Sequence, residues 1–319
     1  MTPTTPTLRN RRSCLRPVPP PVSLPGRHLR LAESLRRIGH AGGRGQNRGV
    51  SIRRALVLGS GGATGIAWEW GVLAGLAEAG VRLDADLVIG TSAGAVVAAQ
   101  LTTSGAPVAP GTPRERAGRL DALSVARLLA AQLHPSRRHA LAWLGGRATR
   151  AWTPAAEAAW VGRFALGLSG LGWPEELVVV ATDAASGRPA FFSAAHSTDL
   201  AAAVAASCAV PGVFPAVRID ERLHFDGGLR SPANLDIAAG ASSVIAVAPL
   251  SGAVRVHRRP GHQAAQLRRT GSRVVLIEPN LAERLALGPD LLAPDRAEQA
   301  FAAGLAAAER NAKAALAIW

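Results

Sequence analysis

The short apolar run Leu87-Val88-Ile89 opens directly into Gly90-Thr91-Ser92-Ala93-Gly94, and the small-residue stretch Ala95 to Leu101 follows at once. A buried strand passes straight into a helix only through a tight corner, and glycine at both ends of the corner permits it. Gly-x-Ser-x-Gly in this setting makes a nucleophile elbow, which lifts the serine hydroxyl above the sheet edge. Bulkier neighbours would collide with the crossing helix or block a substrate. The plainer alternative is an ordinary glycine-rich turn. The same strand, turn and helix order occurs upstream: Ala55 to Leu58, then Gly59-Ser60-Gly61-Gly62-Ala63-Thr64-Gly65, then an apolar pattern from Ile66 until Gly80. Further apolar strands are expected at Leu177 to Ala181, Val244 to Val247 and Val274 to Ile277, with helices around Asp199 to Ser207 and Arg296 to Leu316. This alternation predicts an α/β fold with a mostly parallel central sheet covered by helices.

Charge divides the chain. Residues 1–54 carry twelve arginines against one acid, Glu33, and so hold most of the formal net charge of +14. The arm is also rich in proline and glycine, a composition that cannot bury enough apolar surface to offset chain entropy. The expected organisation is a disordered basic arm over residues 1–52 and one domain over 53–319, with the motif-bearing core at 55–236. Arg11-Arg12 precedes Pro17-Val18-Pro19-Pro20-Pro21 where a twin-arginine export signal needs a continuous apolar core. The expected location is therefore cytoplasmic, with peripheral contact to anionic membrane as a further option; the basic stretch around Arg255, Arg258, Arg259, Arg268 and Arg269 reads first as a solvated loop and second as a surface approaching such a membrane. The beyond-arm balance is nearly even, so no specific nucleic-acid partner is expected. The longest uncharged run, Leu87 to Pro113, is interrupted by Gly, Ser, Thr, Gln and three prolines, which argues against a membrane span. Arginine supplies every basic side chain but Lys313, and tyrosine is absent, a bias of GC-rich bacterial coding.

Two cysteines, Cys14 and Cys208, give neither a disulfide framework nor a metal-ligand spacing, so no metal and no cofactor is expected. The loop at 59–65 does not fit nucleotide binding. The Gly-x-Gly-x-x-Gly register ending on Gly65 begins with Ser60, and no lysine follows. It suits an oxyanion hole, in which small residues let successive backbone N–H groups point at one oxygen. A serine nucleophile needs a base, and none of the eight histidines lies in a recognisable strand-end or turn motif. Asp226-Gly227-Gly228 follows the alternating stretch Val217 to Phe225, which suggests a carboxylate at a tight backbone corner. Between Gly105 and Pro174 a helical insertion or cap is expected, holding Trp143, Trp152, Trp160 and Trp173 either as core or as acyl-pocket and lipid-interface rings.

The glycine loop at 59–65, Gly-Thr-Ser-Ala-Gly at 90–94 and Asp-Gly-Gly at 226–228, taken in that order, resemble the patatin-like phospholipases. Ala206-Ser207-Cys208-Ala209-Val210-Pro211-Gly212-Val213-Phe214-Pro215 is similar to the family's proline-containing segment ahead of its aspartate. The resemblance spans roughly Ala55 to Asp236. It implies a patatin-like fold and a metal-independent lipid acyl hydrolase of phospholipase A or lysophospholipase type. Ser92 would be the nucleophile and Asp226 its base. Backbone N–H groups around Gly61, Gly62 and Ala63 would form the oxyanion hole, with Gly65, Gly90, Gly94, Gly227 and Gly228 as supporting glycines. The substrate would be a phospholipid or another acyl-ester lipid. Two departures stand out: Ser60 where the family often has its first glycine, and Thr64 where it often has Arg or Lys. The second removes a positive charge near the site and implies altered headgroup preference or a modest rate loss. The competing readings are a histidine-triad α/β-hydrolase and a non-catalytic lipid-binding module on the same fold.

Overall fold

The computed structural model describes residues 52–104, 122–150, 152–168, 170–196 and 198–319. Apart from Ile52, the arm expected over 1–52 lies outside the described residues, as does Cys14. Strands β1 (Arg54–Leu58), β2 (Leu87–Thr91), β3 (Leu177–Asp183), β4 (Pro189–Phe192), β5 (Val217–Ile219), β6 (Arg222–Asp226), β7 (Ser243–Val247) and β8 (Arg273–Ile277) form one sheet. Hydrogen-bonded neighbours follow the path β5-β6-β3-β2-β1-β7-β8, with β4 also paired to β3. The pairs β1–β2, β1–β7, β2–β3 and β7–β8 are parallel, and those involving β4, β5 and β6 are antiparallel.

Both faces of the parallel strands are buried, which is why they read as continuous apolar runs. Alternation still sorts their side chains. Leu56, Leu58, Val179, Ile245 and Ile277 join one cluster, and Ala55, Val57, Val178, Val244 and Val274 join the other. The first cluster is roofed by α1 (Gly62–Glu78), α2 (Ala93–Ser104), α6 (Leu200–Ser207) and α9 (Ala297–Ile318), and the second by α7 (Pro260–Arg269) and the turn around Leu235. Helix α9 lies close along α1 because glycines meet at the crossing: a Cβ on Gly71 would stand 2.1 Å from the Phe301 oxygen, and one on Gly304 2.2 Å from the Trp68 oxygen.

The insertion is helical where it is described: α3 (Ala122–Leu133), α4 (Arg137–Arg150) and α5 (Pro154–Leu168). Its tryptophans divide. Trp160 is core, stacked on Phe214 with centroids 4.0 Å apart and donating its indole N–H to the Ala205 oxygen at 3.0 Å. Trp143 is 52% exposed beneath the Arg147 guanidinium. Strand β4 was not foreseen from the sequence, and the stretch from Val217 to Phe225 is a hairpin. Asp220 and Glu221 both take positive φ, at 47° and 60°, as a two-residue type I′ turn requires. Among the described residues no helix is long and apolar enough to cross a membrane. The short helix α8 (Leu281–Leu287), closed by an Asn280–Glu283 capping box, completes the chain order.

One detail of the topology positions the site. Strand β2 pairs with Leu177 to Val180 of β3, whereas β6 pairs with Ala181 to Asp183. Strand β4 pairs with Val179 to Thr182, overlapping both, so it must occupy the opposite edge of β3. Strands β2 and β6 therefore share one edge end to end. The corner leaving β2 consequently meets the C-terminal residue of β6.

Candidate active site

At that junction Ser92 and Asp226, 134 residues apart in sequence, face each other. The Ser92 hydroxyl donates to Asp226 Oδ2 at 2.8 Å, and both residues are buried. Ser92 has φ of 53°, the left-handed conformation of a strained serine elbow, which costs about 1–2 kcal/mol for a residue with a Cβ. The surroundings fix it there. Ser92 N–H donates to Ser207 Oγ at 2.8 Å, and Ser207 in turn donates to the Val180 oxygen at 2.6 Å. Gly94 presses on the end of β1, where a Cβ would lie 2.2 Å from the Leu58 carbonyl, and its N–H donates to the Gly59 oxygen at 2.8 Å. Gly90 is equally confined, by Ala95 and Ala98 of α2.

Asp226 ends β6 and caps the single 3-10 turn Gly227–Leu229, its Oδ1 accepting from Gly228 N–H at 2.6 Å. Burial pushes its carboxyl up to about 6, with the Gly228 and Ser92 hydrogen bonds pulling the other way. A Cβ on Gly227 would strike the Val180 oxygen, and one on Gly228 would lie 2.2 Å from Ser60 Oγ. The hydrogen-bond partners of the Ser92 and Asp226 side chains and of Ser92 N–H are each other, Ser207, Gly228 and the Cys208 thiol, with no imidazole among them. His224, two residues before Asp226, packs edge-on against Phe192, and burial lowers its pKa. Burial, and after it the nearby Asp226 charge, push the Cys208 thiol well up against the hydrogen bond it shares with Ser92, which disfavours the reactive thiolate. Among the described residues no group of three His, Cys, Asp or Glu side chains could hold a metal ion.

The glycine loop differs from the sequence expectation in where it ends. Helix α1 begins at Gly62 rather than Ile66, so Gly62, Ala63, Thr64 and Gly65 are its first turn. Gly62 has φ of 63° and sits where a Cβ would be 2.5 Å from the Leu291 oxygen, so only glycine lets the helix start this early. The consequence is a helix N-terminus beside the serine elbow. Ser60 N–H goes to the Pro232 oxygen, Thr64 N–H to the Leu291 oxygen and Gly65 N–H to the Gly61 oxygen. The N–H groups of Gly61, Gly62 and Ala63 have no acceptor among the described residues. Three adjacent unpaired donors with the positive end of a helix behind them can stabilise an oxyanion. Gly65, by contrast, has ordinary room, with Pro249 and Ala93 the nearest neighbours.

Thr64 does not stand on an open rim. It is fully buried, so Arg or Lys there could not reach a substrate without displacing the segment around Leu291. Thr64→Arg should therefore destabilise the fold by about 3 kcal/mol or more through a buried, unpaired charge. Thermal denaturation checks this, and a parent-like melting temperature would show that the segment yields.

Three buried polar residues that sequence reading did not single out hold the site together. Glu69 accepts from Gly59 N–H at 2.8 Å and so pins the base of the glycine loop, while burial raises its carboxyl well above the usual range. Its sequence signal is an acid between two tryptophans, Trp68 and Trp70, inside an apolar helix. Ser207, described above, carries no such signal. Asn234 takes φ of 50°, and its amide donates to Thr91 Oγ1, the Gly227 oxygen and the Ser231 oxygen at 3.1, 3.3 and 3.0 Å. It thereby ties the residue before Ser92 to the residue after Asp226. Behind it, burial alone would raise the Asp236 carboxyl, but the bidentate Arg230 guanidinium holds it below the usual range. Asn234→Ala loses these three hydrogen bonds and the one its Oδ1 accepts from Arg230, retains the positive φ, and should cost about 2–4 kcal/mol in urea unfolding. A cost under about 0.5 kcal/mol would mean that the two loops hold their positions without it.

An α/β sheet carrying a serine elbow opposed by a buried carboxylate, beside a glycine-lined helix start, defines a class of acyl-transfer scaffold. The chain belongs to the patatin-like phospholipase family, whose model, described as "Patatin-like phospholipase", matches residues 56–239. Its domain is that of a lipid acyl hydrolase. Among solved structures it is similar to VipD from Legionella pneumophila, at 14% identity and TM-score 0.36 over 82% of this chain and 67% of that one. It is also similar to the type III effector protein ExoU, at 17% identity and TM-score 0.37 over 82% of this chain and 54% of that one. The chain thus spans about two thirds of the length of the first and about half of the second. A search of curated proteins gave no match.

Proposed function

We propose that the chain cleaves acyl esters of lipids, as a phospholipase A or lysophospholipase, with Ser92 as nucleophile and Asp226 as its direct base. The observation that carries this reading is the 2.8 Å hydrogen bond from Ser92 Oγ to a carboxylate that burial has made more basic. Asp226 takes the hydroxyl proton as Ser92 attacks the ester carbonyl. The Gly61, Gly62 and Ala63 N–H groups bind the tetrahedral oxyanion, and collapse expels the alcohol, which leaves with the proton from Asp226. Water, deprotonated by the same carboxylate, then attacks the acyl-enzyme. Its proton returns to Ser92 as the fatty acid departs. The unit performing this is residues 53–319, acting at the cytoplasmic face of a membrane without a metal or other cofactor.

Labelling by a fluorophosphonate probe, with the modified peptide mapped by mass spectrometry, tests the reading. Label on Ser92 that is absent from Ser92→Ala and Asp226→Asn is expected. A folded protein that takes no label favours the non-catalytic module, and loss of label in a single His→Ala variant favours a histidine triad.

The pH dependence follows from the same carboxyl. Asp226 acts only when deprotonated, and its pKa lies near 6, so kcat/KM should rise with pH and reach half its plateau near pH 6. Below that it should fall about tenfold per pH unit. A limb centred near 4, measured on a soluble ester, would mean that Asp226 is not the base or is not buried during turnover.

A further inference from the structure

The loop that follows β7 leaves from the rim of the site. Pro249 packs against Gly61, and Ser231 Oγ, in the turn after Asp226, donates to the Arg258 oxygen at 3.1 Å. From there the loop reaches the corner between α3 and α4, where Arg255 donates to the His134 oxygen at 2.6 Å. Arg259 closes it by donating to the Ala253 oxygen at 2.8 Å. What this rigid loop presents outward is unusual for a surface facing only water. Val256 is 56% exposed, Val254 39%, and Leu133, beside His134, 70%. Arg255, His257, Arg258 and Arg259 are interleaved with the two valines, and Arg138 and His139 are exposed on the neighbouring helix. Asp236 balances Arg258, at 3.9 Å. The guanidinium of Arg259 donates to a backbone carbonyl.

We propose that Leu133, Val254 and Val256, with Arg255 and Arg259, form the surface by which this protein docks on an anionic phospholipid bilayer. The inference rests on the lipid-hydrolase reading for its purpose but not for its physics. Apolar side chains that project from a hydrogen-bonded loop enter the headgroup region without ordering cost, and flanking arginines gain from the negative surface potential. A protein groove would match the valines but has no comparable use for the cations around them. The position explains the benefit: the loop starts beside the glycine loop at Pro249 and is tied at Arg258 to the turn after Asp226, so a bilayer seated on it adjoins both.

The full chain is tested by peptide-resolved hydrogen exchange with vesicles of phosphatidylglycerol and phosphatidylcholine, against vesicles of phosphatidylcholine alone. Slowed exchange in the peptides covering 251–259 and 133–139, on the anionic vesicles only, is expected. Protection confined to residues 1–50 would overturn the proposal by assigning binding to the basic arm, and equal protection on both vesicles would overturn the anionic preference. The double variant Val254→Asp with Val256→Asp, both at exposed positions, should lower hydrolysis of vesicle lipid at least tenfold and leave hydrolysis of a soluble short-chain ester within twofold. Unchanged vesicle hydrolysis overturns the proposal. If the parent cleaves neither substrate, the function proposed above has failed, and the exchange experiment still decides whether this loop meets lipid.

Discussion

Replacing Ser92 by alanine, or Asp226 by asparagine, should each lower ester hydrolysis by about four orders of magnitude, and the double variant should be no slower than the slower single one. Non-additivity is expected because the two side chains make one proton path through one hydrogen bond. Unfolding cannot account for the loss at Asp226, because stability should move the other way. Its carboxyl goes from an ordinary 3.8 to about 6 in the fold, so the native state holds the proton more tightly than the unfolded chain does. The native state is therefore favoured below pH 4, and that advantage is lost as pH rises through about 6. The lost stabilisation at neutral pH is on the order of 3 kcal/mol for a shift of this size. Asparagine carries no charge to desolvate and should recover part of it. Asp226→Asn should then melt higher than the parent at pH 7.5 and close to it at pH 4. A variant that is both inactive and less stable at pH 7.5 would undo the claim that Asp226 is a carboxylate held at a cost for chemistry.

The second large effect lies in a glycine. Gly94→Ala places a methyl group 2.2 Å from the Leu58 carbonyl and 2.7 Å from Gly59 N. These are backbone atoms at the end of a central strand, so no side-chain rotation relieves the contact. The elbow must move away from the glycine loop, breaking the hydrogen bond from Gly94 N–H to the Gly59 oxygen. About 3–5 kcal/mol of stability should go, with most of the activity, as denaturant unfolding and a soluble-ester assay would show. Gly65→Ala is the matched control. Its Cβ would find the nearest atoms at 3.5 Å, inside a helix, where alanine exceeds glycine by up to about 1 kcal/mol. It should be neutral or stabilising. Equal losses in both variants would mean that the elbow and the loop are not in the contact described.

Local pattern made much of this legible. Strand, tight turn and helix are encoded within about twenty residues at 54–78 and again at 87–104, so the parallel core could be read from the chain. Helix starts were less legible: Gly62 turns into α1 four residues before the apolar pattern begins, because its positive φ admits a start that periodicity does not signal. Thr64 reads as a lost positive charge near the site, and only the tertiary structure shows it to be fully buried, its N–H bonded to the Leu291 oxygen more than two hundred positions later.

The sequence by itself determined which residue types stand at the corners: Ser92 between its glycines, Asp226 before two more, and small residues at 59–65. Only the tertiary structure decided that they meet. β3 extends three residues past its pairing with β2, and the antiparallel β6 fills that remaining edge and ends with Asp226 opposite Ala181. Glu69, Ser207 and Asn234 then fasten the loops through hydrogen bonds that span ten, 115 and 143 positions. Such partners carry no local periodicity. Their placement follows from which strand edge is left unpaired and from the cost of burying a polar group without a partner.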